Sequence, residues 1–123
     1  MMNSGAELFP VLSSLDFDVG IGVELCGNDA EFYCELIREL YTDVLARRHV
    51  ALQSNVLQVR RDYAHLLKGT LQVLGERKAS AKARDLEQAL RGGLPHDELT
   101  MGLAADLDRI AGALRNVFDG LAR

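Results

Sequence analysis

Residues 64–70, Ala64-His65-Leu66-Leu67-Lys68-Gly69-Thr70, lie in a stretch with helical periodicity that runs from about Asn55 to Leu74. At about 100° per residue, the polar residues of this stretch share one face of the predicted helix. They are Gln58, Arg61, Asp62, His65, Lys68, Gly69 and Gln72. The opposite face carries Val56, Val59, Tyr63, Leu67, Thr70, Leu71 and Leu74. The pattern predicts an amphipathic helix that turns His65 to solvent and packs its apolar face against a core.

The surroundings of His65 are unusual for a plain amphipathic helix. Gly69 lies about one turn away on the same face, although glycine inside a helix costs about 1 kcal/mol relative to alanine. Leu66 and Val73 border the polar face and give it an apolar rim. With Lys68 nearby, these residues predict a docking surface for an anionic group. Periodicity by itself favours a simpler interpretation, a surface histidine beside a tolerated glycine.

The motif His65-x-x-Lys68-Gly69, with Thr70 after it and Gly75 closing the helix, resembles the histidine-containing phosphotransfer (HPt) domain family. Residues 17–33 resemble the family's lead-in to its first long helix, and residues 86–93 resemble the end of the helix after the active one. The resemblance covers roughly residues 17–120. Three residues depart from the family pattern, and they put local packing in doubt while leaving the motif intact. They are Thr70 in place of serine, Glu76 in place of a small residue and Arg60 in place of an apolar one.

The resemblance implies that His65 is a phosphoacceptor, which takes a phosphoryl group from a receiver-domain aspartate and passes it to another receiver. A neutral imidazole suits this role, because the ordinary histidine pKa of about 6.5 leaves much of it unprotonated near pH 7. Lys68 would support the phosphoryl charge and Gly69 would give the receiver access. Gln72, two turns on, either hydrogen-bonds the imidazole or phosphoryl group or is simply a solvated polar residue.

The implied partners are response-regulator receiver domains, a hybrid sensor histidine kinase, or both, contacted by Arg61, Leu66 and Val73. The chain has no glycine-rich nucleotide loop and no acidic cluster for magnesium, so we expect no kinase activity of its own. We expect no cofactor on this chain, and Mg²⁺ would come from the receiver. The alternative is a non-catalytic HPt-like interaction module that binds or sequesters a receiver or a histidine kinase.

The rest of the chain predicts one all-α domain over residues 1–123, an antiparallel up-down-up-down four-helix bundle. Its core would span about residues 28–122, with short helical segments in residues 4–27 as a cap, the first limited or kinked by Pro10. Asn28 and Glu31 predict the start of a helix that reaches about Leu52. Three sets of spaced apolar residues define these helices. They are Phe32, Leu36, Ile37, Leu40, Val44 and Leu45; Ala79, Ala83, Leu86 and Leu90, ended by Gly92-Gly93; and, after a start at Pro95, Leu99, Leu103, Leu107, Ile110, Leu114, Val117 and Leu121.

Composition excludes several functional classes. A net charge of −4 argues against a general nucleic-acid binder, which needs a basic stripe. No long apolar run or leader pattern predicts a membrane segment, so we expect a cytoplasmic monomer.

Cys26 and Cys34 fit neither a zinc site nor a disulfide framework, and Cys34 is expected to be buried. Asp62-x-x-His65 lacks the second motif that a di-iron bundle requires, so we predict no metal site. His49 and His96 are expected to be solvated.

Overall fold

In the computed structural model, which describes residues 4–120, every regular element is helical, so the predicted all-α class is confirmed. The first elements are α1 (Ser4–Ser14), α2 (Val19–Leu25) and α3 (Ala30–Glu39). The segment continues through a π-helical turn (Leu40–Val44), a 3₁₀ turn (Leu45–Arg47) and α4 (Arg48–Leu52). It is followed by α5 (Leu57–Val73), α6 (Arg77–Gly92) and α7 (Asp97–Phe118). Among these helices, none has the length and apolar character that crossing a bilayer requires.

The predicted apolar stripes of α6 and α7 are buried except for the half-buried Leu99, and they meet residues of α1 and α5 in one core. Leu8 and Leu12 of α1 are fully buried in it, so this helix contributes to the core directly. Pro10 lies inside α1 and the helix continues to Ser14, so of the two effects predicted for this proline, a limit or a kink, the limit is wrong. The carbonyl that its ring leaves without a partner belongs to Ala6, an exposed residue, where water can replace the lost hydrogen bond. Leu121, the last residue of the predicted α7 seam, lies outside the described residues.

The long segment from α3 to α4 is irregular where the sequence predicted a uniform helix. Leu40 and Leu45, five residues apart, are both buried, which is the spacing of a π-helical turn. The side chains of Arg47, Tyr63 and Arg48 donate to the carbonyls of residues 43, 44 and 45 at 3.2, 2.7 and 2.8 Å. These bonds supply side-chain donors to carbonyls of the irregular turns, of which that of Leu45 also accepts from the Arg48 N–H. Because Tyr63 belongs to α5, its bond also fixes the segment against that helix.

Several predicted boundaries and orientations need correction. Asp29, not Asn28, caps α3, and its carboxylate accepts from the Phe32 N–H at 2.9 Å. In addition, Tyr33 takes the buried position that the periodicity gave to Phe32, which is exposed. Helix α7 begins at Asp97, two residues after Pro95. Val56, which precedes α5, and Val59 within it are exposed although the periodicity gave them the face of buried residues, because the apolar stripe enters the core only from Tyr63 onward.

The turn between α5 and α6 is held tightly against the first part of the chain. Gly75 has a φ of 92°, and a Cβ there would overlap the Asp18 backbone, whose N–H donates to the Gly75 carbonyl at 2.9 Å. Glu76 is fully buried, and its Oε1 caps α6 by accepting from the N–H groups of Lys78 and Ala79. Glu76, which stands where the HPt pattern has a small residue, thus has a structural role as the cap of α6.

Candidate functional site

Helix α5 presents His65 to solvent while the residues beside it hold the helix in the core. Ala64 and Leu67 are fully buried, whereas the His65 side chain is 64% exposed. The predicted outward orientation of the imidazole is therefore present in the structure. Nothing in the described part of the chain covers the ring, so a partner macromolecule can reach it.

The centre of the site is Glu87 of α6, whose side chain is only 5% exposed. Its Oε2 lies 2.8 Å from His65 Nδ1, and its Oε1 accepts from Lys68 Nζ at 2.8 Å. Arg91, one turn further along α6, donates to Oε2 from Nη2 at 3.0 Å. A buried carboxylate needs such partners to be tolerated. These contacts join the histidine, the lysine and two residues of α6 into one hydrogen-bonded cluster.

The Glu87 carboxyl is ionised throughout the physiological range. Burial acts to raise its pKa, but the hydrogen bonds from Lys68, Arg91 and His65 outweigh that effect and lower the pKa to about 2. An ionised carboxylate can only accept hydrogen bonds, so the ring nitrogen that faces it must be the donor. His65 Nδ1 therefore carries the proton. In the neutral ring the lone pair lies on Nε2, the nitrogen on the far side from Glu87.

An apolar groove runs along one side of His65. We use this name for the cleft between Leu36, Leu40 and Val44 on the long segment and Leu66, Gly69 and Val73 on α5. Its volume is about 590 Å³, and His65 lies at its edge. An ideal Cβ on Gly69 would have no atom within 4 Å apart from its own helix, so the missing side chain leaves open space rather than room for a neighbour.

The structure brings together most, but not all, of the predicted site residues. Leu66, Gly69 and Val73 line the apolar groove with His65. Lys68 lies beside His65 but is engaged by Glu87. Gln72 makes no hydrogen bond to the imidazole and instead lines a cleft on the other side of α5.

Arg61, another predicted partner contact, is half-buried and donates from its guanidinium to the Gln58 side chain. It does not line the apolar groove. Arg61 therefore stays a predicted partner contact that lies outside the apolar groove.

Sequence reasoning missed Glu87 and Arg91. The available signal was a carboxylate inside the apolar stripe of α6, four residues after Ala83 and three before Leu90. A charge in that position requires a cation as partner. Arg91, at i+4, supplies one such charge from the same helix, and Lys68 supplies another from α5.

The other polar residues considered from the sequence lie apart from this cluster. His49 is exposed, as expected, with Nε2 3.4 Å from Asp108. His96 is half-buried rather than solvated, and its Nδ1 is buried without a hydrogen bond. Cys34 is half-buried and Cys26 is buried. In the described range, no three or more His, Cys, Asp or Glu residues are grouped as metal ligands.

Comparisons of the chain with protein-family models, with curated proteins and with solved structures found no match. The functional argument therefore depends on the geometry of the His65 cluster and of the surfaces around it.

Proposed function

We propose that the chain is a histidine phosphotransfer protein of a two-component phosphorelay, in which His65 accepts and donates the phosphoryl group. The observation that carries the proposal is an exposed imidazole whose Nδ1 is held by a buried, ionised carboxylate. This arrangement leaves Nε2 free as a nucleophile and directs it to solvent. For a histidine with only a structural role, exposure of the ring to solvent would serve no purpose.

In the proposed reaction, the Nε2 lone pair attacks the phosphorus of an aspartyl phosphate on a receiver domain. The N–P bond forms as the bond from phosphorus to the aspartyl oxygen breaks, and the aspartate leaves as a carboxylate. The ring becomes positively charged as the phosphoryl group arrives, and Glu87 stabilises that charge through the Nδ1 proton. Donation to the next receiver reverses these steps. Mg²⁺ would come with the receiver, and this chain remains an intermediate rather than an autonomous kinase.

The apolar groove supports docking of the receiver beside His65. Its walls are mostly aliphatic, although Glu39, Asp43 and Thr70 also line it. Leu66 and Val73 are exposed large hydrophobic residues on its rim. Exposed apolar residues grouped next to a reactive side chain are typical of a binding surface. We further propose that the α3–α4 segment, α5, α6 and α7 form an antiparallel four-helix bundle, which presents one histidine from a cytoplasmic monomer as the HPt resemblance implies.

Phosphotransfer from purified receivers tests the proposal. Incubation with a receiver that carries a labelled aspartyl phosphate should give the wild-type chain an acid-labile, base-stable label, and His65→Gln should abolish it. His49→Gln is the matched control, because this exposed histidine lies outside the cluster and its loss should leave labelling unchanged. Binding of receivers without any labelling would refute phosphotransfer and support the non-catalytic interaction module instead.

A further inference from the structure

The cations of α6 divide into two groups by their ion pairs. Helix α6 carries five basic residues, and three of them form ion pairs with carboxylates that are not their neighbours in the sequence. The three pairs are Lys78–Asp16 at 3.4 Å, Lys82–Asp106 at 2.8 Å and Arg91–Glu87 at 3.0 Å. Arg77 has no ion pair within the described residues, and Arg84 pairs with the exposed carboxylate of its sequence neighbour Asp85 at 3.6 Å, where water competes with the contact. Two arginines are thus left available for other anions.

These two arginines line the same cleft, which we name the basic groove. It lies between α5 and α6, has a volume of about 200 Å³ and is bordered by Lys68, Gln72, Arg77, Ser80, Ala81 and Arg84. Three of its six lining residues are cations and none is a carboxylate. Arg77 also lies in the first turn of α6, where the helix dipole disfavours a cation. Helix stability therefore does not account for its presence.

The basic groove is continuous with the His65 cluster through Lys68. This residue donates to Glu87 at the cluster and also borders the basic groove, while its carbonyl accepts from the buried Ser80 hydroxyl at 2.7 Å. The apolar groove lies on the other side of α5. A macromolecule that covers His65 therefore meets an apolar surface on one side of the helix and a cationic surface on the other.

We propose that the basic groove binds aspartate or glutamate side chains of the protein that exchanges the phosphoryl group with His65. The proposal depends on the proposed function. Guanidinium groups form paired hydrogen bonds with carboxylates, which suits Arg77 and Arg84 to this role. The chain as a whole carries a charge of −4, so an acidic partner is repelled except where cations are concentrated. The basic groove then orients the partner during docking and accelerates its association.

Reversal of the two arginine charges tests this assignment with the receiver that labels His65 fastest. Arg77→Glu/Arg84→Glu should lower the second-order rate constant of transfer about tenfold at low salt and flatten its dependence on ionic strength. Transfer within the saturated complex should stay unchanged. Lys78→Glu/Arg109→Glu is the matched control, since it makes the same change in net charge at exposed positions that border neither groove. Circular dichroism and thermal unfolding check that both variants fold.

The outcomes separate this proposal from the proposed function. Equal rates for the two double variants, with normal labelling of His65, would overturn the basic-groove assignment and leave phosphotransfer intact. Absence of labelling in the wild type with every receiver would refute both. A further comparison adds phosphate or chloride at matched ionic strength. If phosphate inhibited transfer by the wild type far more than chloride did, and the Arg77→Glu/Arg84→Glu variant showed no such difference, the basic groove would be a site for free phosphate. That result would overturn the assignment to protein carboxylates.

Discussion

Substitution of Gly69 should make the protein more stable and its phosphotransfer slower. Gly69 lies in the interior of α5, where alanine is favoured over glycine by about 1 kcal/mol and glutamine by somewhat less. No atom outside the helix lies within 4 Å of an ideal Cβ at this position, so the chain accepts a side chain without strain. For a chain of this length, about 1 kcal/mol corresponds to a rise in Tm of about 3–5 °C.

The same side chain would project beside His65 at the wall of the apolar groove. If a receiver packs there, its surface meets atoms that the glycine had left out, and such overpacking costs about 1–3 kcal/mol. Gly69→Gln should therefore slow transfer by about tenfold or more, because 1.4 kcal/mol corresponds to a factor of ten. Gly69→Ala should have a smaller effect on transfer than Gly69→Gln, with an equal or greater gain in stability.

Thermal unfolding and transfer rates measured on the same samples provide the assay. Gly102 is the matched control, because it also lies inside a helix, α7, with open space at its Cβ, and it borders neither groove. Gly102→Ala and Gly102→Gln should raise Tm by a similar amount and leave transfer unchanged. If Gly69→Gln raised Tm but transferred at the wild-type rate, the partner would not approach this part of α5, and the role given to the glycine would be wrong.

Three further predictions concern buried groups near the site. The pKa of Glu87 is lowered to about 2, so the ionised carboxylate stabilises the fold fully above about pH 5 and this stabilisation is lost as pH falls towards 2. Glu87→Gln should flatten the pH dependence of the free energy of unfolding measured in urea, lower that free energy at pH 7 by about 1–2 kcal/mol and slow transfer. Burial raises the pKa of Glu76 although backbone hydrogen bonds oppose it, so the wild type loses stability as pH rises above about 4.5. Glu76→Gln keeps an oxygen that can cap α6, so this variant should be at least as stable as the wild type at pH 7, and a lower stability would contradict this account. Gly75→Ala should destabilise the fold by more than about 2 kcal/mol, measured by the same unfolding assay, because of its φ of 92° and the overlap with Asp18.

The sequence predicted best what depends on neighbours along one helix. The outward position of His65, the burial of Leu67 and Leu71 and the positive φ of Gly75 follow from periodicity and from helix-ending rules. These rules need no knowledge of which helices meet. Because these rules do not consider where a helix meets the core, they fail at Val59, which shares the apolar face of α5 but is exposed.

The parts that the sequence left out are those decided by contacts between distant residues. His65 and Glu87 are 22 residues apart, and only the α5–α6 turn brings them together. The π-helical turn was likewise not predicted, since the apolar spacing gave both Val44 and Leu45 to the buried face of a uniform helix, whereas Leu45 is fully buried and Val44 only half-buried. A carboxylate within an apolar stripe signals that a partner is needed, but it does not identify which cation on which helix supplies it.

The charges around Glu87 explain why one carboxylate has two cationic partners. With a neutral imidazole, Lys68, Arg91 and Glu87 sum to a single positive charge, whereas Lys68 and Glu87 alone would cancel. In the proposed reaction, an arriving phosphoryl group competes with Glu87 for the Lys68 ammonium. Arg91 then keeps the buried carboxylate paired, since it binds Oε2 rather than the Oε1 that Lys68 occupies. The lysine can therefore turn to the phosphoryl oxygens while Glu87 stays ionised and continues to hold the proton of His65 Nδ1.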